Sequence, residues 1–146
     1  MFCTPRVVEV RDGHIFFPMH PNVRAAYSQE IPAGSQRAQD GYLISLDLEN
    51  GEELDVGGFV IRREGDCICT DRSAVFPSFP GAHIRSETPA LKGGFHLDVV
   101  VDKNLVEVFV NEGECVISNA VYGLEDKIGC SGEGKKMRIH IFSAQR

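Results

Sequence analysis

The sequence predicts an all-β fold, namely a two-layer antiparallel β-sandwich of the jelly-roll or lectin-like kind, with one short helix. Three observations lead to this prediction. Apolar and polar residues alternate with a period of two along most of the chain. Turn residues interrupt this alternation at short intervals, which indicates roughly ten short strands. A helical pattern occurs only at 21–28, where Pro21 suits the first helical position and the segment allows about two turns.

The first half of the chain begins with a hairpin and continues with separate strands. Val8 and Val10 are predicted to point to one face and Glu9 to the other, and the Asp12-Gly13 turn leads back through 14–17. Further strands are predicted at 42–48, 59–63 and 67–70. The segment 33–41 is expected to be a polar loop, and 77–89 an irregular stretch rich in proline.

The second half of the chain has the clearest alternation. Strands are predicted at 97–102, 106–110 and 115–118, with turns at 103–104 and 111–113 between them. The last predicted strand runs from Met137 to Ser143. In the first two of these strands Leu97, Val99, Val101, Val106, Val108 and Val110 fall on one face, and the charged residues fall on the other together with Val100 and Phe109.

The composition is that of an ordinary globular domain. The 146 residues are 42% hydrophobic and 25% charged, and we expect one domain spanning 1–146 without linker or repeat. The formal net charge of −6 disfavours a nucleic-acid partner, because an acidic surface repels phosphates. No apolar run approaches the ~20 residues that span a bilayer, so no membrane partner is expected.

The cysteines and the first residues predict the compartment. There are five cysteines, an odd number, and the first residues form no signal-peptide core. We therefore expect reduced thiols and a cytoplasmic protein.

One phosphate-loop motif is present by spacing alone. Residues 129–135 match G-x-x-x-x-G-K, but Lys136 stands where a hydroxyl residue is required. A predicted strand follows, whereas phosphate binding uses a helix N-terminus. We interpret this segment as a solvated, flexible loop.

No metal site or cofactor is predicted. Cys67 and Cys69 share one strand face, but a structural zinc site needs four ligands and no second pair exists, so packed or edge thiols are expected. The five histidines show no metal-binding spacing and are expected at the surface or packed: His14, His20, His83, His96 and His140.

No catalytic or substrate-binding residue is assigned from the sequence. There is no G-x-S-x-G nucleophile motif. Most acidic residues lie at turns or on outward faces, where solvation explains them: Asp12, Asp47, Glu49, Asp66, Asp102 and Glu112. Tryptophan is absent and aromatics are 8%, which disfavours a strong sugar-stacking platform; the tyrosines that would serve are Tyr27, Tyr42 and Tyr122.

Four stretches resemble one enzyme family in the same order along the chain. Residues 97–118 resemble the VDxSxVEVFVNDGExVxS signature near the C-terminus of glycoside hydrolase family 32, which includes invertases, sucrose-6-phosphate hydrolases, levanases and inulinases. Residues 4–13 are similar to its PRELxLxDG segment, His20-Pro21 to its P-x-x-E-L segment, and 71–73 to its DRS element.

The resemblance implies a two-domain enzyme that hydrolyses β-fructofuranosidic bonds with retention. Its N-terminal five-bladed propeller carries the catalytic acids, in N-D-P, R-D-P and E-C motifs, and this chain corresponds to the C-terminal sandwich. Arg11-Asp12 is followed by Gly13, and Glu114-Cys115 falls inside the sandwich signature, so neither Asp12 nor Glu114 is assigned a catalytic role.

The leading hypothesis is a non-catalytic module of a sucrose-6-phosphate hydrolase-like β-fructofuranosidase. It would stabilise the propeller of the same parent chain and support a homodimer. If so, one face should expose an apolar patch that the propeller covers. A lectin-like carbohydrate-binding module is the alternative, and a stand-alone enzyme or assembly subunit is the third hypothesis.

Overall fold

A computed structural model describes residues 3–34, 41–132 and 137–143, and it confirms the predicted all-β sandwich. In these residues the structure has one helix, α1 (Pro21–Ala26), and a 3₁₀ turn at Asn111–Gly113. The strands are β1 (Glu9–Arg11), β2 (His14–Phe16), β3 (Gln29–Ile31), β4 (Tyr42–Asp47), β5 (Glu53–Val56), β6 (Phe59–Glu64), β7 (Cys67–Asp71), β8 (Arg85–Glu87), β9 (His96–Asp102), β10 (Leu105–Val110), β11 (Cys115–Ala120), β12 (Ile128–Cys130) and β13 (Arg138–Ile141).

Two large antiparallel sheets and one separate hairpin make up the fold. The six-stranded sheet has the order β11-β10-β9-β4-β13-β3, and the five-stranded sheet has the order β12-β5-β6-β7-β8. Strand β13 therefore lies between β3 and β4, although both come about a hundred residues earlier in the chain. Strands β1 and β2 pair with each other in a two-stranded sheet of their own.

The main core lies between the two large sheets. Apolar side chains from both inner faces are fully buried there, among them Ile44, Val99, Val108, Leu54, Ile61 and Ile68. Each such side chain contributes about 1.5–3 kcal/mol when it leaves water. This burial is the main stabilising contribution to the sandwich.

A second, smaller core covers the outer face of the six-stranded sheet. Helix α1 and the residues before it pack there, and the cluster consists of Met19, Tyr27, Leu43, Val100 and Phe109. As a result, all six residues of β10 are buried. The predicted alternation of β9 and β10 is present, but both of its faces are covered by protein.

The predicted hairpin is confirmed, and hydrogen bonds attach it to the segment 112–113 of the body. Val10 pairs with Ile15 across β1 and β2. After β2, the Phe17 amide donates to the Gly113 carbonyl oxygen at 2.8 Å. A Cβ atom on Gly113 would lie 2.3 Å from the Phe17 carbonyl carbon, so only glycine permits this approach.

The short strands differ most from the predictions. The predicted irregular stretch 77–89 contains β8, and β3, β5 and β12 were not predicted. Residues 129 and 130 of the predicted phosphate-loop-like segment lie in β12, and 133–136 lie outside the described residues. The predicted polar loop 33–41 likewise falls mostly on 35–40, which are not described.

Helix α1 begins as the sequence predicts. Pro21 is in its first turn, and the His20 side chain caps it by accepting a hydrogen bond from the Asn22 amide at 3.1 Å. The helix ends at Ala26, two residues earlier than predicted. No helix in the described ranges has the length and apolarity to cross a membrane.

Candidate functional site

The three tyrosines considered for sugar stacking lie in different environments. Tyr42 is 1% exposed in the main core, and burial raises its pKa above the usual range. Tyr27 is buried and stacks on Phe142 with ring centroids 4.2 Å apart, and burial raises its pKa to about 12. Neither ring is available to a sugar, whereas Tyr122 is 52% exposed.

Cys67 and Cys69 are partly buried on the outer face of the five-stranded sheet, as packed thiols. The Cys69 sulfur lies 3.7 Å from the Glu64 carboxylate. Burial, followed by the nearby Glu64 and Glu87 carboxylates, raises the pKa of Cys69 to about 11. The thiol is therefore protonated at neutral pH, and a protonated thiol is a poor nucleophile and metal ligand. Across the described ranges, no three His, Cys, Asp or Glu side chains are grouped to hold a metal ion.

The structure identifies two buried carboxylates that the sequence reasoning did not single out. The first is Asp98, which is 2% exposed on the outer face of β9. It accepts hydrogen bonds from Arg24 Nη2 at 2.7 Å and from Ser45 Oγ at 2.6 Å. His96 Nε2 lies 3.5 Å from its Oδ1 atom, and His96 Nδ1 lies 2.7 Å from Asp47.

Electrostatics keep this cluster ionised. Burial alone would raise the pKa of Asp98, but hydrogen bonds from His96, Arg24 and Ser45 outweigh it and hold the pKa far below its usual range. The same contact with Asp98, and then that with Asp47, raises the pKa of His96 to about 9. His96 is therefore a cation at neutral pH. Of the five histidines, it has the most ionic contacts, which local sequence does not predict.

The second buried carboxylate is Glu107, which is fully buried in β10. It accepts hydrogen bonds from the Thr4 amide at 2.7 Å, from Arg6 Nη2 at 2.8 Å and from Ser118 Oγ at 3.0 Å. Burial raises its pKa, but these three donors together hold the pKa below the usual value. Glu107 thereby fastens the N-terminal segment across the outer face of the sheet.

Neither buried carboxylate resembles the acid of a glycosidase. A general acid of that class has a raised pKa, so that it carries a proton at neutral pH. Asp98 and Glu107 have lowered pKa values, and their oxygens are occupied by structural partners. The sequence reasoning assigned no role to Asp12 or Glu114: Asp12 is exposed at the hairpin turn, and Glu114 accepts a hydrogen bond from Asn111 at 3.0 Å.

The outer face of the five-stranded sheet forms an open groove of about 510 Å³ with lining of mixed charge. Its charged side chains are largely paired: Arg62 with Glu53, and Arg85 with Asp71 at 2.9 Å. The groove is also lined by Ser73 and Ala74, which lead along the chain to Phe76.

An aromatic cluster is formed by the loop after β7 and the segment after β11. The Phe76 ring lies 6.1 Å from Phe79 and 5.8 Å from Tyr122, and the Arg72 guanidinium lies 3.6 Å from the Phe76 centroid. Arg72 also donates to the carbonyl oxygens of His83 and Ala120, so it fixes the loop. Phe79 and Tyr122 are about half exposed and form an apolar surface.

Comparison with known proteins assigns the larger part of the chain to one domain family. Residues 43–144 match the family model described as "Glycosyl hydrolases family 32 C terminal". No curated protein matches the sequence.

Several solved structures share the fold at low identity. A sucrose-6-phosphate hydrolase from Lactobacillus gasseri has a TM-score of 0.77 at 20% identity, over 94% of this chain and 33% of that chain. The Bombyx mori β-fructofuranosidase BmSUC1 has a TM-score of 0.65 at 14% identity, over 94% of this chain and 31% of that chain. A fructosyltransferase from A. japonicus has a TM-score of 0.61 at 12% identity, over 97% of this chain and 33% of that chain. The chain thus spans about a third of the length of each.

Proposed function

The chain belongs to the C-terminal domains of glycosyl hydrolase family 32, and from this premise we propose that it is the non-catalytic module of a β-fructofuranosidase. The parent enzyme hydrolyses β-fructofuranosidic bonds in sucrose, sucrose 6-phosphate or fructans with retention. Its catalytic acids lie on a propeller domain that precedes this module. The five free thiols favour a cytoplasmic parent.

The observation that carries this proposal is the match of the chain to the C-terminal domain of a hydrolase family. The contacts of its two buried carboxylates support it. Asp98 fixes helix α1 through Arg24, and Glu107 fixes the N-terminal segment through Arg6. Both carboxylates are ionised and occupied, so they cannot protonate a glycosidic oxygen. These contacts support the proposal of a structural role.

The physical role of the module is to stabilise the propeller by packing against it. Apolar surface removed from water contributes about 25 cal/mol per Å². A contact of ordinary size between domains would then make each domain's unfolding depend on the other. The same module would also support a homodimer of the parent enzyme.

The test is an activity assay of the 146-residue chain on sucrose and on sucrose 6-phosphate. We expect no release of fructose above the buffer blank. Turnover in the range of ordinary enzymes, about 1–10³ per second, would overturn the non-catalytic assignment. The Asp98→Asn variant serves as the control, because the proposal requires it to be as inactive as the unsubstituted 146-residue chain.

Carbohydrate binding is the second candidate function, and the polar groove on the five-stranded sheet, together with the Phe76–Phe79–Tyr122 cluster, favours it. Sugar sites combine charged hydrogen-bonding groups with an aromatic face, and both occur here. Titration with sucrose and short fructans, followed by NMR, separates the two functions. Saturable binding tighter than about 1 mM that Tyr122→Ala abolishes would favour binding, whereas the packing role predicts no saturation.

A further inference from the structure

In the described ranges, four strands form the outer edges of the two large sheets, and one of them differs from the rest. Strands β3, β8 and β12 have three residues each. Glu30 of β3 pairs with Arg138, and β8 contains the charged Arg85 and Glu87. Short length and charge protect an edge strand from pairing with another chain. Strand β11 has six residues and no charged side chain, so it lacks both protections.

The hydrogen bonds of β11 to β10 determine which of its backbone groups face outward. The Val121 amide donates to the Asn104 carbonyl oxygen at 3.1 Å, in continuation of the β10–β11 register. In an antiparallel pair, every second residue directs its N–H and C=O groups to the neighbouring strand. The odd-numbered residues of β11 therefore bond to β10. The even-numbered Val116, Ser118 and Ala120 direct their backbone groups away from it.

The outward backbone groups are occupied only at the end of the strand. The Ala120 carbonyl oxygen accepts a hydrogen bond from Arg72 Nη1 at 2.9 Å. Among the described residues, no other hydrogen bond reaches an outward backbone group of β11. The Val116 and Ile117 side chains are also only partly buried. We call the backbone of Val116 and Ser118 the open edge, because such unpaired groups form a template for a further strand.

We infer that a second copy of this chain pairs its own β11 with the open edge, an inference that rests on the homodimer of the proposed function and identifies its surface. The two strands run antiparallel about a two-fold axis at Ile117. Val116 of one copy then lies opposite Ser118 of the other, and their free N–H and C=O groups bond to each other. The six-stranded sheets of the two copies continue into one another, and the partly exposed Val116 and Ile117 become buried.

Charge complementarity favours a second copy at this edge. In the same register, Glu114 of one copy lies opposite Ala120 of the other, where Arg72 binds the carbonyl oxygen. The two-fold axis repeats this match of Glu114 with Arg72 at both ends of the paired strands. Strand β11 has no charged residue of its own, so the pairing brings no like charges together.

The aromatic cluster lies at the same end of β11 and enlarges the contact. Arg72 connects the two, since it lies 3.6 Å from the Phe76 centroid and binds Ala120. Phe79 is 54% exposed and Tyr122 is 52% exposed. Aromatic residues and arginine contribute much of the binding energy of protein interfaces. A strand pair alone buries little area for a stable dimer, and these side chains supply more.

The first test is sedimentation velocity of the 146-residue chain between about 10 μM and 1 mM. We expect a concentration-dependent change from 16.1 kDa to twice that mass, with a Kd below about 0.1 mM. Val116→Pro should raise the Kd at least about tenfold, because proline removes an outward N–H and no bond to β10. Circular dichroism checks that this variant is folded.

A second variant tests the aromatic part of the interface without changing the backbone. Phe79→Glu should raise the Kd at least about fivefold, because it places a charge in an apolar contact. The matched control is Ile15→Glu on the hairpin, since Ile15 is 56% exposed against 54% for Phe79 and receives the same charge. The control should leave the Kd unchanged.

Residue-resolved hydrogen exchange by NMR identifies the paired strand. The Val116 and Ser118 amides should exchange at least about tenfold more slowly in the dimer than in the monomer, whereas the Ile117 amide, bonded to β10, is slow in both. A chain that stays monomeric at about 1 mM would overturn the inference. So would a dimer in which Val116 and Ser118 stay unprotected, or equal effects of Phe79→Glu and Ile15→Glu. Each of these results leaves the non-catalytic role standing, which the fructose-release assay decides separately.

Discussion

The imidazole of His96 lies 3.5 Å from the Asp98 carboxylate, and the two side chains determine each other's charge. Asp98 is buried and His96 is half exposed, so the ion pair lies at the border between protein and solvent. Both residues belong to β9, and Arg24 of helix α1 donates a hydrogen bond to Asp98. The pair therefore connects the strand to the helix. Its charge state therefore affects how firmly the helix is held against the sheet.

The unfolding free energy should fall as pH rises past neutrality. The pKa of His96 is raised to about 9, so its stabilising contribution is complete below the unfolded value of about 6.5 and is lost as pH approaches 9. Since His96 is 42% exposed, solvent screening reduces the expected loss to about 1 kcal/mol. Urea unfolding at several pH values measures it. In His96→Gln, the unfolding free energy should depend less on pH. An unchanged dependence on pH would contradict the assignment.

Replacing the buried Asp98 should lower the free energy of unfolding far more than replacing the exposed Asp47, although both contact His96. Asp98→Ala leaves Arg24 and Ser45 without their acceptor, and we expect a loss of about 3 kcal/mol. Asp47→Ala, at an exposed position, should cost less than about 1 kcal/mol. Equal losses in denaturant unfolding would show that burial of Asp98 is unimportant.

The Arg6–Glu107 pair should stabilise the N-terminal segment. Arg6→Met leaves the fully buried Glu107 carboxylate with two neutral donors, and we expect a loss of about 2 kcal/mol. Glu107→Gln in the Arg6→Met background should recover part of that loss, because no buried charge then lacks its counterion. A double-mutant cycle measures the coupling, and additive effects would contradict it.

Replacing Gly113, where the hairpin is attached, should strongly lower the free energy of unfolding. Gly113→Ala adds a Cβ 2.3 Å from the Phe17 carbonyl carbon at a φ of +95°, and we expect a loss of about 3 kcal/mol or more. Gly81→Ala is the control, since Gly81 has a φ of +86° and open space around its Cβ position. It should cost about 1 kcal/mol. Chemical denaturation compares the two variants.

The cysteines should differ in their rate of alkylation. Cys3 is exposed and should react first with iodoacetamide at mildly alkaline pH. Cys69 should be slow, because its pKa is raised to about 11 and little thiolate is present. Glu64→Gln removes a neighbouring carboxylate and should speed the modification of Cys69, which peptide mass spectrometry detects. Unchanged kinetics in that variant would rule out the Glu64 contact as a cause.

The long strands could be predicted from the sequence because their alternation is local. Strands β9 and β10 have valines at every second position, and the Asp12-Gly13 turn defines the hairpin. The three- and four-residue strands β3, β5, β8 and β12 were missed. Strands β3 and β12 form by pairing with distant strands, β13 and β5. Strands of three or four residues also carry little pattern of their own.

The candidate site was less predictable, because the partners of its charges are far away in sequence. Asp98 binds Arg24 from 74 residues away, and Glu107 binds Arg6 from 101 residues away. An acidic residue between two aliphatic residues predicts a solvated outer face unless another segment covers it. Only the path of residues 3–27 shows that this face is covered.

The position of β13 between β3 and β4 has a consequence for how the protein reaches its native state. The gap between those two strands can close only after a segment about a hundred residues downstream has been synthesised. Until then, two strand edges with unpaired amides stay available to other nascent chains. The protein should accordingly fold slowly and late, after translation of its last strand, and chaperones should raise its yield.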